Sequence, residues 1–137
     1  MNNIFVYGTL RKDRIKTVVP EIAPYIKIVG RGHVKGKLFD TGEYPAAVKN
    51  GNGKVYGEII QIEPSKLIQV LEMLDEYEDF IKNNPSESLF LRDVVNVDNI
   101  KGNTTKAWIY WYNKDTKNLA EIKDGIYRKR KPVSVNG

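Results

Sequence analysis

Only one stretch of this chain has a helical period, and the segments around it read as strands, so the fold must set a single principal helix against a sheet. The helical stretch runs through "LIQVLEMLDEYEDF" to residue 80, with Pro64 in its first turn and Glu63 or Ser65 as its cap. At about 100° per residue, Leu67, Val70, Leu71 and Leu74 fall on one stripe, and Glu78, one turn beyond Leu74, lands near its centre. Glu72, Glu76 and Asp79 take the opposite side. A carboxylate on an apolar stripe has two readings. Either Glu78 is withdrawn from water, and is then paired, opens onto a wet pocket or holds a raised pKa, or the helix ends before it and leaves it at the surface. Periodicity does not choose between them.

"NIFVYG" is β-branched and aromatic and is broken by Gly8, which marks an opening strand, and "GHVKGKLFD" fits a second. In "YPAAVKNGNGKVYGEIIQI" the "NGNG" between two strand-like runs predicts a hairpin, since Asn and Gly tolerate the positive φ of tight turns. Beyond a polar loop, "IKNNPSES", the runs "LFLRDVVNV" and "TKAWIYWYN" give two more strands with a turn at "KGN". "LAEIKDGIYRKRKP" predicts a short helix stopped near Gly125, and "KDRIKTVVPEIAPY" is too interrupted by proline to assign. About six strands and one principal helix, with short flanking helices, predict an α+β fold built on a small, strongly curved or closed mixed β-barrel.

At 137 residues the chain fits one domain, 1–137, with a basic tail from about residue 128. No run approaches the roughly 18 apolar residues of a membrane span, and "MNNIFVYG" lacks the pattern of a secretion signal, so a cytoplasmic protein is expected. Without cysteine there are no disulfides, thiolate nucleophiles or cysteine-based metal sites, and the single histidine, His33, leaves little for metal ligation or a histidine triad. Catalysis, if any, falls to carboxylates, hydroxyls and backbone amides, with no cofactor and no metal. The net charge of +5 owes much to "YRKRKP", and a short basic end is more often solvated than a nucleic-acid arm. None of Ser65, Ser86, Ser88 and Ser134 stands in a Gly-x-Ser-x-Gly setting.

Two further places carry chemistry. "FVYGTLRK" ends a strand in aromatic–Gly–Thr, which either leaves backbone N–H groups in an anion-binding concavity beside Arg11 and Lys12 or makes an ordinary turn. In "AWIYWYN", alternation of Trp108, Tyr110, Trp111 and Tyr112 predicts one pair facing the interior and another facing out, as a dimer patch, pocket wall or surface.

Taken in order, "VYGTLRK", "GEYPAAV", "VYGEIIQI", "MLDEYED", "FLRDVVNV", "AWIYWY" and "IKDGIYR" resemble the γ-glutamylcyclotransferase-like proteins over nearly the whole chain. The resemblance implies a small barrel with a pocket at its mouth. It implies that the signature loop, Tyr7, Gly8, Thr9 and Leu10, supplies substrate-binding groups and that Glu78 is a general acid/base. Tyr44, Arg92 and Tyr112 complete the expected substrate-binding set. Two departures stand out: Asp79 follows the glutamate where glycine is frequent, and Phe90-Leu91-Arg92 replaces Tyr-x-Arg. The implied partner is a small-molecule γ-glutamyl compound, whose α-amine attacks its own γ-carbonyl to close 5-oxoproline and expel an amine, in a monomer or homodimer. An inactive small-molecule-binding barrel is the alternative, and a basic nucleic-acid-binding domain a less favoured one.

Overall fold

The computed structural model describes residues 1–8 and 19–128. Thr9, Leu10, Arg11, Lys12 and the basic tail beyond Arg128 lie outside them. The strands are β1 (Asn3–Val6), β2 (Ile26–Asp40), β3 (Pro45–Ile62), β4 (Phe90–Asn99), β5 (Thr104–Tyr112) and β6 (Ala120–Glu121), and the principal helix is α1 (Leu67–Tyr77). Short 3-10 turns, Pro20–Tyr25, Pro64–Lys66 and Pro85–Glu87, flank them, each opening on a proline whose missing N–H has no partner to lose.

The sheet order is β3-β1-β5-β4-β2-β6, and a further pairing of β3 with β2 closes the first five strands into a barrel. β1 runs parallel to β5, with Ile4 opposite Trp108, and the other pairings are antiparallel. The expected α+β barrel with one principal helix is therefore observed, and six strands are present, but not quite those expected. The predicted hairpin at "NGNG" does not form. Lys49 pairs with Gly36 and Lys54 with Lys35, so both halves of β3 lie against β2 and residues 50–53 are an excursion within one long strand. Turn chemistry is local, whereas the pairing partner is set by the hydrophobic pattern over the full strand length. The predicted C-terminal helix is also absent: Ala120 and Glu121 pair with Asp40 and Phe39, and the Gly125 carbonyl accepts the Tyr56 N–H at 2.9 Å.

The barrel wall separates two apolar layers. Phe5, Val34, Leu38, Val55, Ile59, Val97, Ala107, Ile109 and Trp111 fill the barrel from all five strands. Ile4, Val6, Ile60, Ile62 and Tyr110 point outward beneath α1, against Val70, Leu71 and Leu74. Alternation on β5 therefore divides the aromatics three to one rather than in pairs: Trp111 lies in the barrel, while Tyr110, buried, and Trp108 and Tyr112, half-buried, take the outer face under the helix, covered rather than turned to solvent. A strand covered on both faces keeps its period of two but loses the polar face that would have marked one side as solvent.

Candidate active site

Where α1 ends, the C-terminal ends of β1 and β5 meet the starts of β3 and β4 around a cavity of about 390 Å³. That volume lies in the range of small-molecule sites. Its wall is made by Phe5 to Gly8, Glu43 to Pro45, Tyr77 to Asp79, Leu89, Phe90 and Tyr110. A Cβ on Gly8 would overlap the Pro45 ring, so glycine is what lets the end of β1 lie against the start of β3 at this wall.

Glu78 is brought there by the way α1 stops. The helix ends at Tyr77, short of the expected Phe80, and Glu78 is its C-cap. The Phe80 N–H then bonds the Asp75 carbonyl at 2.9 Å and the Asp79 N–H the Glu76 carbonyl at 3.2 Å. These two bonds make a Schellman motif, which requires a left-handed residue at the position Asp79 occupies. Asp79 has φ 53, the one positive φ among the described non-glycine residues. Asp tolerates that conformation better than most residues but lacks the freedom of glycine. Glu78 itself keeps near-helical angles, φ −88 and ψ 4, so it stays on the apolar stripe and in the cavity wall, and the chain turns away only at Asp79. Thus the helix does end before Glu78, and the carboxylate is nonetheless withdrawn from water. Among the described residues it has no hydrogen-bond or ion-pair partner. Burial first, and then the charge of Asp79, push its pKa up to about 8.

The segment after the turn is held firmly. Ser88, fully buried, accepts the Ile81 N–H through Oγ at 2.7 Å, and Asn113 Nδ2 donates to the Ser88 carbonyl at 2.9 Å. The Leu89 N–H closes back on the Asp79 carbonyl at 3.0 Å. The wall carrying Glu78 and Leu89 is thereby tied to the end of β5.

Tyr7 lines the cavity, but its hydroxyl is committed: it donates to the Tyr110 carbonyl at 2.6 Å and accepts the Ala47 N–H at 3.4 Å. Burial, with the Glu78 charge second, raises its pKa, so it stays neutral. Tyr44 stands opposite, its ring tilted on Phe90 at 5.9 Å between centroids. Its backbone is pinned by Thr41, whose Oγ1 donates to the Tyr44 carbonyl at 2.8 Å.

Arg92 and Tyr112 do not line the cavity. Arg92 grips Asp75 with two bonds, Nε to Oδ1 at 2.7 Å and Nη2 to Oδ2 at 3.1 Å, and its guanidinium lies 4.7 Å from the centroid of Trp108. Tyr112 packs edge-on against Phe90 at 5.5 Å, behind the wall. Tyr110, two residues earlier on the same face, reaches the cavity instead and donates its hydroxyl to Asp75 Oδ1 at 2.7 Å. Glu43, Pro45, Tyr77 and Leu89 are lining residues that sequence reasoning did not select, and Tyr110 entered it only as one of the alternating aromatics of β5. Glu43 and Pro45 belong to the "GEYPAAV" run, and Tyr77 to "MLDEYED", so proximity to a motif was the available signal.

A family model described as gamma-glutamyl cyclotransferase, AIG2-like, matches residues 4–129. The gamma-L-glutamyl-butirosin B gamma-glutamyl cyclotransferase of Niallia circulans is 32% identical over 116 residues, covering 84% of this chain and 69% of that protein. Among solved structures, an aig2-like protein from Mus musculus superposes with a TM-score of 0.72 at 23% identity over 96% of this chain and 91% of the other. The protein ytfP from Escherichia coli gives 0.63 at 25% identity over 91% and 95%.

Proposed function

The chain belongs to the gamma-glutamyl cyclotransferase, AIG2-like family, and from that premise we propose that it releases 5-oxoproline and an amine from a small γ-glutamyl compound, with Glu78 as general acid and base. The observation that carries this reading is the Glu78 carboxyl, without a hydrogen-bond or ion-pair partner among the described residues, in the wall of a cavity of about 390 Å³, its pKa pushed up to about 8. A group that must take and later return a proton works best when its pKa lies near the working pH.

The substrate brings its own nucleophile. Glu78, ionised, takes a proton from the substrate α-ammonium, and the freed amine attacks the γ-carbonyl carbon. A C–N bond closes the five-membered ring; the proton held by Glu78 passes to the leaving nitrogen as its bond to carbon breaks, and the second proton, which the ring nitrogen sheds on becoming an amide, follows through the regenerated carboxylate, so that the amine departs as an ammonium. No water is consumed and the enzyme ends as it began. Holding amine and carbonyl in register supplies most of the acceleration, since well-oriented intramolecular attack reaches effective molarities of ~10⁵–10⁸ M. Glu78 adds ~10²–10⁴-fold. In this reading Gly8, Tyr7 and Tyr44 shape the glutamyl pocket, and the Thr9 and Leu10 amides serve the substrate carboxylate or the oxyanion. Tyr110 takes the place on the wall that the resemblance implied for Tyr112, and Arg92 acts through Asp75.

The test is a panel of γ-glutamyl compounds, assayed for 5-oxoproline with the native chain and Glu78→Gln. Release by the native chain and its loss in the variant are expected. Bound but unchanged compounds would identify a binding barrel, and equal turnover by Glu78→Gln would remove Glu78 from the chemistry.

A further inference from the structure

The run "NGNG" does not make the hairpin its composition predicts, so its two Asn–Gly steps have no tight turn to serve. Such a step is reactive in its own right. The glycine nitrogen attacks the side-chain carbonyl of the preceding asparagine, and glycine, with no Cβ, lets the chain fold back far enough to bring the two together. The backbone around each step decides whether it reacts, and the fold treats the two differently. Residues 50–53 have no partner in the β2–β3 ladder, which resumes only at Lys54. Gly51 is exposed, and a Cβ there would meet nothing within 4 Å. Asn50 Oδ1 accepts the Asn52 N–H at 2.9 Å, which carries Cγ over the intervening Gly51 nitrogen and polarises the carbonyl to be attacked. Gly53 is packed instead: a Cβ there would overlap the Gly36 carbonyl oxygen and lie 3.5 Å from Lys37 Cγ, so the peptide after Asn52 has no room to swing.

We propose that Asn50 is a modification site at which the folded chain deamidates itself through a succinimide with Gly51, while Asn52 in the same run is spared. The Gly51 nitrogen gives up its proton to water and bonds Asn50 Cγ. The Cγ–Nδ2 bond breaks, and the side-chain nitrogen takes a proton back and leaves as ammonia. Water then opens the ring. Addition at Cγ gives aspartate in an unaltered main chain, and addition at the Asn50 main-chain carbonyl gives isoaspartate, with one carbon more in the backbone. One water is consumed, one ammonia is released, and nothing is oxidised or reduced. The attacking nitrogen is anionic when it reacts and the product is a carboxylate, and the surroundings favour both. Lys54 closes the excursion directly opposite Lys35, with Lys37 beside Gly53, and a like-charge pair across two strands costs stability until an anion is placed near it. The site stands apart from the cavity, whose wall takes no described residue of β3 beyond Pro45.

The experiment incubates the full native chain at neutral pH and follows both steps by peptide mapping with mass spectrometry, isoaspartate being assayed as a methyl acceptor for a protein isoaspartate methyltransferase. Conversion of Asn50 well ahead of Asn52, with aspartate and isoaspartate both formed, is expected. In urea the two steps should react alike, because the contact of Gly53 with Gly36 is lost. Gly51→Ala should abolish the product at Asn50, and circular dichroism checks that the variant is folded, as the free space at Gly51 predicts. Equal conversion of Asn50 and Asn52 in the folded chain, or Asn52 reacting first, would overturn the inference. So would an Asn50 that survives folded over the time in which it reacts in urea, a preference for Asn50 that persists unchanged in urea, or undiminished conversion in Gly51→Ala.

Discussion

Asp75 and Glu78 stand one turn apart at the same end of α1, and both turn toward the β4–β5 side of the barrel. Both suffer the negative pole of the helix terminus. Asp75 is answered from three directions: two guanidinium N–H groups of Arg92 and the Tyr110 hydroxyl reach its oxygens, and the side chains of the ion pair are only 14% and 11% exposed. Glu78 receives no donor from the described residues, and its nearest charge of note, Asp79, has the wrong sign. The first arrangement locks the helix end to two strands. The second stores a proton at an energetic cost. A carboxylate left without a partner among the described residues, while its neighbour is paired, is the kind of group that chemistry requires.

The largest effect should come from erasing the difference at Glu78. Glu78→Gln keeps the shape and removes the proton, so kcat for 5-oxoproline release should fall on the order of 10²-fold or more. Stability should move the other way. Because the folded pKa is raised from 4.5 to about 8, the folded state binds more protons than the unfolded one between those values, and stability drains away as pH rises through that window. Glu78→Gln removes the drain. Its unfolding free energy should match that of the native chain near pH 4 and exceed it by a few kcal/mol above pH 8, and urea titrations at the two pH values would show it. Equal stability at both would mean that the carboxylate is not desolvated.

Breaking the other side comes next. Arg92→Leu leaves Asp75 buried with only the Tyr110 hydroxyl and should cost ~3 kcal/mol or more in urea unfolding. Arg92→Leu with Asp75→Asn should recover part of that loss, since neither charge is then left alone. If Arg92→Leu unfolds like the native chain but raises KM tenfold, Arg92 is a substrate contact after all and the comparison fails.

How far the site was legible follows from the same pair. The stripe through Leu67, Val70, Leu71 and Leu74 pointed at Glu78, and it did so although the helix stops one residue short, because Glu78 keeps near-helical backbone angles and the left-handed residue that turns the chain away comes after it. Glu72 and Glu76 are exposed, as the helical phase required. Arg92 was legible as a cation near the site but not as Asp75's partner, since the pattern cannot say which acid a long side chain reaches. Tyr112 and Tyr110 share a face at a period of two, and only the register Phe90–Tyr112 against Arg92–Tyr110 decides which of them opens on the cavity. The barrel was expected, but the pairing that closes it was hidden for the same reason: it depends on β2 meeting β3 along 15 and 18 residues, while "NGNG" speaks only for four.

The pH profile comes third in size. The acid limb of kcat/KM reports the ionisation of the free enzyme's base, and with Glu78 pushed up to about 8 activity should still be rising as pH passes 7. The limb should vanish from any residual activity of Glu78→Gln. A limb near the ordinary glutamate value would place Glu78 in water or beside an unseen cation.

The smallest change expected is at Asp79, and it separates two things the residue does. Its carboxylate is the second cause, after burial, of the raised Glu78 pKa, and its backbone sits at φ 53 where glycine is at ease. Asp79→Asn removes the charge and keeps a side chain that tolerates the left-handed region. The acid limb should then move to lower pH by a fraction of a unit, with little change in stability. Asp79→Gly removes the charge and the strain together. It should shift the limb by the same amount, and it should add up to ~1 kcal/mol to stability, less whatever the extra freedom of glycine gives the unfolded chain. Burial is untouched in both, so neither should bring Glu78 back to an ordinary glutamate value. If Asp79→Asn alone returned the limb to that value, charge and not burial would be holding the proton on Glu78, and the contrast with Asp75 would reduce to one misplaced neighbour.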